Sequence, residues 1–153
     1  PMLLNRRTAL ILPLAAALAA CGGSRSHRGA DLKAGATPQM RALISKWAAI
    51  HKIPESLLHR QIQRESGYNP GARNGPYYGL LQIQVQTART MGYKGAPEGL
   101  LDAETNLHYA GKYLRGAWLV SGRNEDRAMM WYAKGYYYEA KRKGLLEETG
   151  LKS

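Results

Sequence analysis

Glu65 is the acidic side chain best placed to exchange a proton with a bound molecule. Leu57, Leu58 and Ile62 recur at helical spacing, and Glu65 follows Ile62 by three residues and Leu58 by seven, so it points where the core residues point. Gly67 and then Asn69-Pro70 stop that helix about half a turn later, which leaves the carboxyl at the mouth of a cleft. Burial disfavours the ionised form and raises the pKa, as a general acid working near neutral pH requires. The competing reading makes Glu65 an ion-pair partner of Arg60 or Arg64, a common fate of a glutamate near a helix end.

The other groups that carry chemistry are less well placed. Asp102, Glu104, Glu125 and Asp126 fall at expected helix N-termini, where stabilising the helix dipole is their expected work. His51 and His59 are eight apart with no Cys or acidic partner at ligand spacing, and His27 and His108 are isolated, so no metal site is expected. The single cysteine, Cys21, falls in the leader region, which excludes a thiol nucleophile, and no glycine-rich phosphate loop appears. No cofactor is expected.

Helices must do the positioning. Thr37 caps and Pro38 opens a first helix with the stripe Met40, Leu43, Ile44, Trp47 and Ala48. A short turn over residues 51–54 leads to the second helix, which carries Glu65. A Gly-, Asn- and Pro-rich loop over 71–78 precedes a short helix expected over 79–91, and 92–99 is a further loop. Asp102 or Thr105 starts a longer helix with Leu107, Ala110, Gly111, Leu114, Ala117 and Trp118 inward. Asn124, Glu125 and Asp126 open the next, which carries Ala128, Met129, Trp131 and Tyr132, and 137–143 forms one more, ended by Gly144. No useful period-two alternation occurs, so a compact all-α or nearly all-α domain follows. With 44% hydrophobic residues in 153, the chain builds one such core.

Ahead of it, residues 1–20 read as an export signal: Arg6 and Arg7 give the charged region, residues 10–20 the apolar run, and Leu18-Ala19-Ala20-Cys21 a small-residue cleavage site. That tetrapeptide resembles a bacterial lipobox, which implies that Cys21 carries the lipid and tethers the chain to a membrane. Gly22 in place of Asp tilts the expectation to the periplasmic face of the outer membrane. Residues 21–37 make a flexible tether and 38–153 the domain. The net charge of +11 suits a polyanionic neighbour, such as anionic lipid or wall peptides with free carboxylates. The export signal and the lack of any nucleic-acid motif argue against nucleic acid, and Lys141-Arg142-Lys143 reads equally well as a solvated helix end.

Glu65-Ser66-Gly67-Tyr68-Asn69-Pro70 is followed by Gly79-Leu80-Leu81-Gln82-Ile83, then by a run from Leu101 to Leu114, then by Trp131-Tyr132-Ala133-Lys134-Gly135. This order and spacing resemble the catalytic domain of the soluble lytic transglycosylases, lysozyme-like enzymes that cut the glycan strands of peptidoglycan. The resemblance covers about residues 40 to 144. It implies a lysozyme-like helical topology. It also resolves a difficulty: glycosidases ordinarily use two carboxylates, and only Glu65 is convincingly core-facing. In the family, the N-acetyl oxygen of N-acetylmuramic acid stabilises the anomeric carbon and the sugar's own 6-hydroxyl attacks. The resemblance implies that Glu65 serves as both acid and base and that the product is a 1,6-anhydromuramoyl end.

Matching motif to motif implies substrate-binding roles for Ser66, Gln82 and Tyr132, with Leu81 as packing. Asn74 and Tyr78, in the loop that lines the family's site, are expected to bind substrate as well. Tyr68, Tyr77, Tyr78 and Tyr136-Tyr137-Tyr138 offer aromatic faces for sugars. Two departures stand out: Ala133 replaces the Asn that usually follows the Tyr, and the loop around Asn74 is one residue shorter. A lytic transglycosylase is therefore the expected function. A lysozyme-type hydrolase and a peptidoglycan-binding lipoprotein without turnover are the alternatives. Nothing in the sequence points to a protein partner.

Overall fold

The computed structural model describes residues 36–152. The leader, Cys21 and all but the last two residues of the tether lie outside the described residues.

Helix α1 (Pro38–His51) begins where Thr37 Oγ1 accepts the Met40 N–H at 3.1 Å, with proline in the first turn. The turn expected over 51–54 is shorter than the sequence suggests. His51 is the last residue of α1, buried, with Nε2 2.8 Å from the Leu107 carbonyl; packing against a distant helix extends α1 by a residue that local signals leave outside it. Burial lowers the pKa of His51. Helix α2 (Glu55–Ser66) ends one residue beyond Glu65, where Gly67 takes a left-handed φ of +58°.

Three two-residue strands follow, β1 (Arg73–Asn74), β2 (Tyr77–Tyr78) and β3 (Ile83–Gln84). They pair antiparallel in the order β1-β2-β3, with Arg73 opposite Tyr78 and Tyr77 opposite Gln84. The sequence reading missed this small sheet, and the helix it placed over 79–91 is only α3 (Val85–Thr90). The reason lies in the backbone. Gly79 has φ +76° and Gln82 φ +47°, and neither value can continue a right-handed helix. A Cβ on Gly79 would also collide with the Asn106 amide and the Leu100 carbonyl.

A 3-10 turn (Pro97–Leu101) precedes α4 (Ala103–Val120), whose N-cap Asp102 accepts the Thr105 N–H at 2.8 Å. Asn124 caps α5 (Glu125–Lys134) in the same way, and α6 (Tyr137–Arg142) completes the set. Helix α4 packs against α1, α3, α5 and the 3-10 turn. Its Leu107, Ala110, Leu114 and Ala117 are wholly buried, each leucine contributing about 1.5 to 3 kcal/mol of apolar burial. Trp118, expected inward, is only partly buried. The fold is thus nearly all helical, and α4 is the spine on which α1, α3 and α5 pack, with α2 held between α1 and α5.

Candidate active site

A cavity of about 550 Å³ opens between the end of α2, the sheet and the end of α5. Arg64 and Glu65 form the α2 wall. Asn74, Tyr77 and Gln82 line the sheet side, and Tyr113 from α4 stands beside Tyr132, Ala133 and Lys134 from α5. Glu65 is the sole carboxylate among the lining residues.

The four other acids that the sequence singled out are engaged elsewhere. Asp102 caps α4, and the Thr105 backbone N–H holds its carboxyl below the usual range. Glu104 pairs with Lys46, and Arg60 pairs with Glu125 and Asp126 across α2 and α5. Arg60 is therefore no partner for Glu65.

Glu65 is half-buried, and Oε1 accepts a hydrogen bond from Gln61 Nε2 at 2.7 Å. Burial pushes its pKa up, against the opposing pull of the Arg64 charge and the Gln61 hydrogen bond. The carboxyl is thus biased towards holding a proton while remaining open to the cavity.

Facing it is a turn built around Gln82. Gln82 Nε2 donates to the carbonyls of Gly79 (2.9 Å) and Ala72 (3.1 Å), and Oε1 accepts from Asn74 Nδ2 at 3.2 Å. These bonds hold Gln82 in its left-handed conformation, a strained state for a non-glycine residue. Two long-range contacts fix the turn to the helices. Tyr132 Oη donates to the Leu81 carbonyl at 2.8 Å, and wholly buried Asn106 accepts from the Leu81 N–H while donating to the carbonyls of Tyr78 and Leu100.

Of the residues that sequence suggested, Glu65, Asn74, Gln82 and Tyr132 come together at the cavity, and Ala133 is exposed on its wall. Leu81 is wholly buried packing. Ser66 and Tyr78 are not among the lining residues. The Ser66 hydroxyl turns back to the Ile62 carbonyl at 3.3 Å, as helix-terminal serines do. Tyr78 is buried, with the Arg73 guanidinium over its ring; Tyr77, its neighbour on the opposite strand face, takes the cavity position. Tyr132 does not bond to Glu65, because its hydroxyl is committed to Leu81. Burial, followed by the Glu65 charge, raises the Tyr132 pKa well above the usual tyrosine range, keeping it a neutral donor. Tyr68 and Tyr136 are buried away from the cavity, and Tyr136 Oη donates to the Tyr113 carbonyl.

Sequence reasoning overlooked Tyr113, Asn106 and Gln61. Asn106 precedes Ala110 by four residues, so its amide stands on the apolar stripe of α4, a polar group where a core side chain belongs; that was the available signal. Gln61 carries the same signal on α2. Among the described residues no cluster of three or more His, Cys, Asp or Glu side chains is placed to hold a metal ion.

The family model described as the transglycosylase SLT domain matches residues 42–146, a span that includes the end of α2, the sheet and α5. No solved structure matches the chain.

Proposed function

The chain belongs to the transglycosylase SLT domain family, and we propose that it is a peptidoglycan lytic transglycosylase. It cleaves the β-1,4 bond between N-acetylmuramic acid and N-acetylglucosamine and leaves 1,6-anhydromuramoyl ends. The observation that carries this reading is Glu65, the sole carboxylate among the described residues that line the cavity, its pKa raised by burial.

Standard glycosidases need a second carboxylate, about 5 to 9.5 Å from the first according to stereochemistry. The lining residues supply none, so the nucleophile comes from the substrate. Protonated Glu65 gives its proton to the glycosidic oxygen as the C1–O4 bond breaks. The N-acetyl carbonyl oxygen closes on C1, and the 6-hydroxyl of the same muramic acid then displaces it. That hydroxyl returns its proton to Glu65, so the acid is regenerated and no water is consumed. Asn74 presents its amide on one side of the cavity, held there by Gln82, whose own amide is taken up by Gly79, Ala72 and Asn74, and Tyr77 and Tyr113 add aromatic surface for the sugar rings.

The reading extends to place. Cys21 carries a lipid anchor, and the domain works in the periplasm at the outer membrane on a tether ending at residue 37. The support for this is the charged and apolar pattern of residues 1–21.

Peptidoglycan incubated with the full chain should release muropeptides with the mass of anhydro ends, and Glu65→Gln should release none. Products heavier by one water identify a hydrolase instead. One observation favours a second reading: Ala133 is exposed at the cavity where the family motif has an asparagine. A protein that pellets with peptidoglycan and releases nothing is a binding lipoprotein.

A further inference from the structure

Gln61 lies one helical turn before Glu65 on α2 and is wholly buried, in a setting where each end of a side-chain amide needs a partner. Nε2 donates to Glu65 Oε1 at 2.7 Å, and Oε1 has no partner among the described residues. A leucine would fill much the same volume beside Leu57, Leu58 and Ile62 without leaving an unpaired oxygen. Packing alone does not account for an amide here.

A general acid that is regenerated in each turnover must be held in two protonation states. The carboxylate needs a donor, and the carboxylic acid needs an acceptor for its O–H. A primary amide carries both, on ends that exchange places by a half-turn of the terminal torsion with no change of volume.

We propose that Gln61 is the positioning residue for Glu65 in both states, with Nε2 donating to the carboxylate and, after the amide turns over, Oε1 accepting from the protonated carboxyl. The proposal rests on the reading of Glu65 as the general acid and base. When the Glu65 proton passes to the glycosidic oxygen, the amide presents its N–H to the new carboxylate. When the 6-hydroxyl proton returns, the amide turns its oxygen to the O–H. Gln61 itself gains and loses no atom. The unpaired Oε1 is then the acceptor of the acid form, idle while the carboxylate is bound.

The ionisable groups sharing the cavity with Glu65 are Arg64 from its own helix, Tyr77 from β2, Tyr113 from α4, and Tyr132 and Lys134 from α5. Burial raises the pKa of Tyr113 and Tyr132, so neither titrates in the range where Glu65 does. The Arg64 charge favours the carboxylate. Gln61 is the neighbour able to follow the proton.

The test compares full-length wild type, Glu65→Gln, Gln61→Leu and Gln61→Glu on soluble peptidoglycan glycan fragments across pH. Carbon-13 NMR of the Glu65 carboxyl is followed in parallel. Gln61→Leu should lower kcat by about tenfold to a hundredfold, the weight of a hydrogen bond to a charged group, with KM unchanged. It should also move the Glu65 titration and the matching limb of the pH profile upward, because the bond lost by the charged carboxylate is stronger than the one lost by the neutral acid. Gln61→Glu offers a donor and an acceptor when protonated, so it should restore activity at acidic pH and lose it as the two carboxyls ionise side by side. A folded Gln61→Leu with wild-type titration and pH profile overturns the proposal, and leaves Glu65 as the acid if Glu65→Gln is inactive. An active Glu65→Gln overturns both readings. Should Gln61→Leu fail to fold, Gln61→Glu decides, and a wild-type pH profile in that variant overturns the proposal.

Discussion

The Tyr132 hydroxyl reaches the Leu81 carbonyl at 2.8 Å, a hydrogen bond between residues 51 apart in sequence. It ties α5 to the turn that carries Gln82, and so joins two sides of the cavity. Tyr132→Phe keeps the ring and removes the donor, leaving a buried carbonyl unpaired. The expected loss is about 1 to 2 kcal/mol of stability, measured by urea denaturation, with the fold intact by circular dichroism.

Asn106 carries more. Its one side chain satisfies the Leu81 N–H and the carbonyls of Tyr78 and Leu100 inside the core. Asn106→Leu strands all three groups and should cost about 3 kcal/mol or more. Amide hydrogen exchange at Leu81 should accelerate by the largest factor, whereas exchange in α6 should change only with global stability.

The raised pKa of Glu65 has a signed consequence for stability. Below its ordinary value of 4.5, both folded and unfolded chains hold the proton and Glu65 costs nothing. As pH rises from there through the higher folded pKa, the unfolded chain releases the proton first, so the folded state loses stability. Glu65→Gln, neutral throughout, should therefore gain stability relative to wild type between acid and neutral pH. Denaturation at pH 4 and pH 8 checks this, and a difference that is flat with pH would contradict it.

Activity should follow the same titration. The first step needs the proton on Glu65, so the rate at limiting substrate should fall as pH rises through the folded pKa. The falling limb should lie above the ordinary glutamate value.

The two neighbouring tyrosines of β2 make a paired test of the sheet. Tyr77 is 42% exposed and lines the cavity, whereas Tyr78 is 6% exposed beneath Arg73. Tyr77→Ala should raise KM by about fivefold, corresponding to the loss of one aromatic face. Tyr78→Phe and Ser66→Ala should leave kinetics within about twofold, because neither hydroxyl is turned to the cavity.

Helix starts were the most legible feature of the sequence. Thr37, Asp102 and Asn124 each bond the backbone three residues on, as cap chemistry implies. Glu65 was legible too, because its place on the α2 stripe is a local property. The region from 71 to 84 was not. The left-handed Gln82 is imposed by its bonds to Ala72, Gly79 and Asn74, and nothing in Leu81-Gln82-Ile83 signals it. Strands of two residues have no period to read, so which of Tyr77 and Tyr78 faces the cavity rests on a one-residue register. Asn106 and Tyr113 act across long sequence separations, which local spacing does not reveal.

Helix α5 is fastened twice: Arg60 grips Glu125 and Asp126 at its first turn, and Tyr132 bonds to Leu81 near its last. Arg60 stands on α2, the helix that carries Glu65 in its last turn, so the two jaws of the cavity share one brace. The width of the opening is thus set in part by Arg60, a residue that is not itself in the cavity lining.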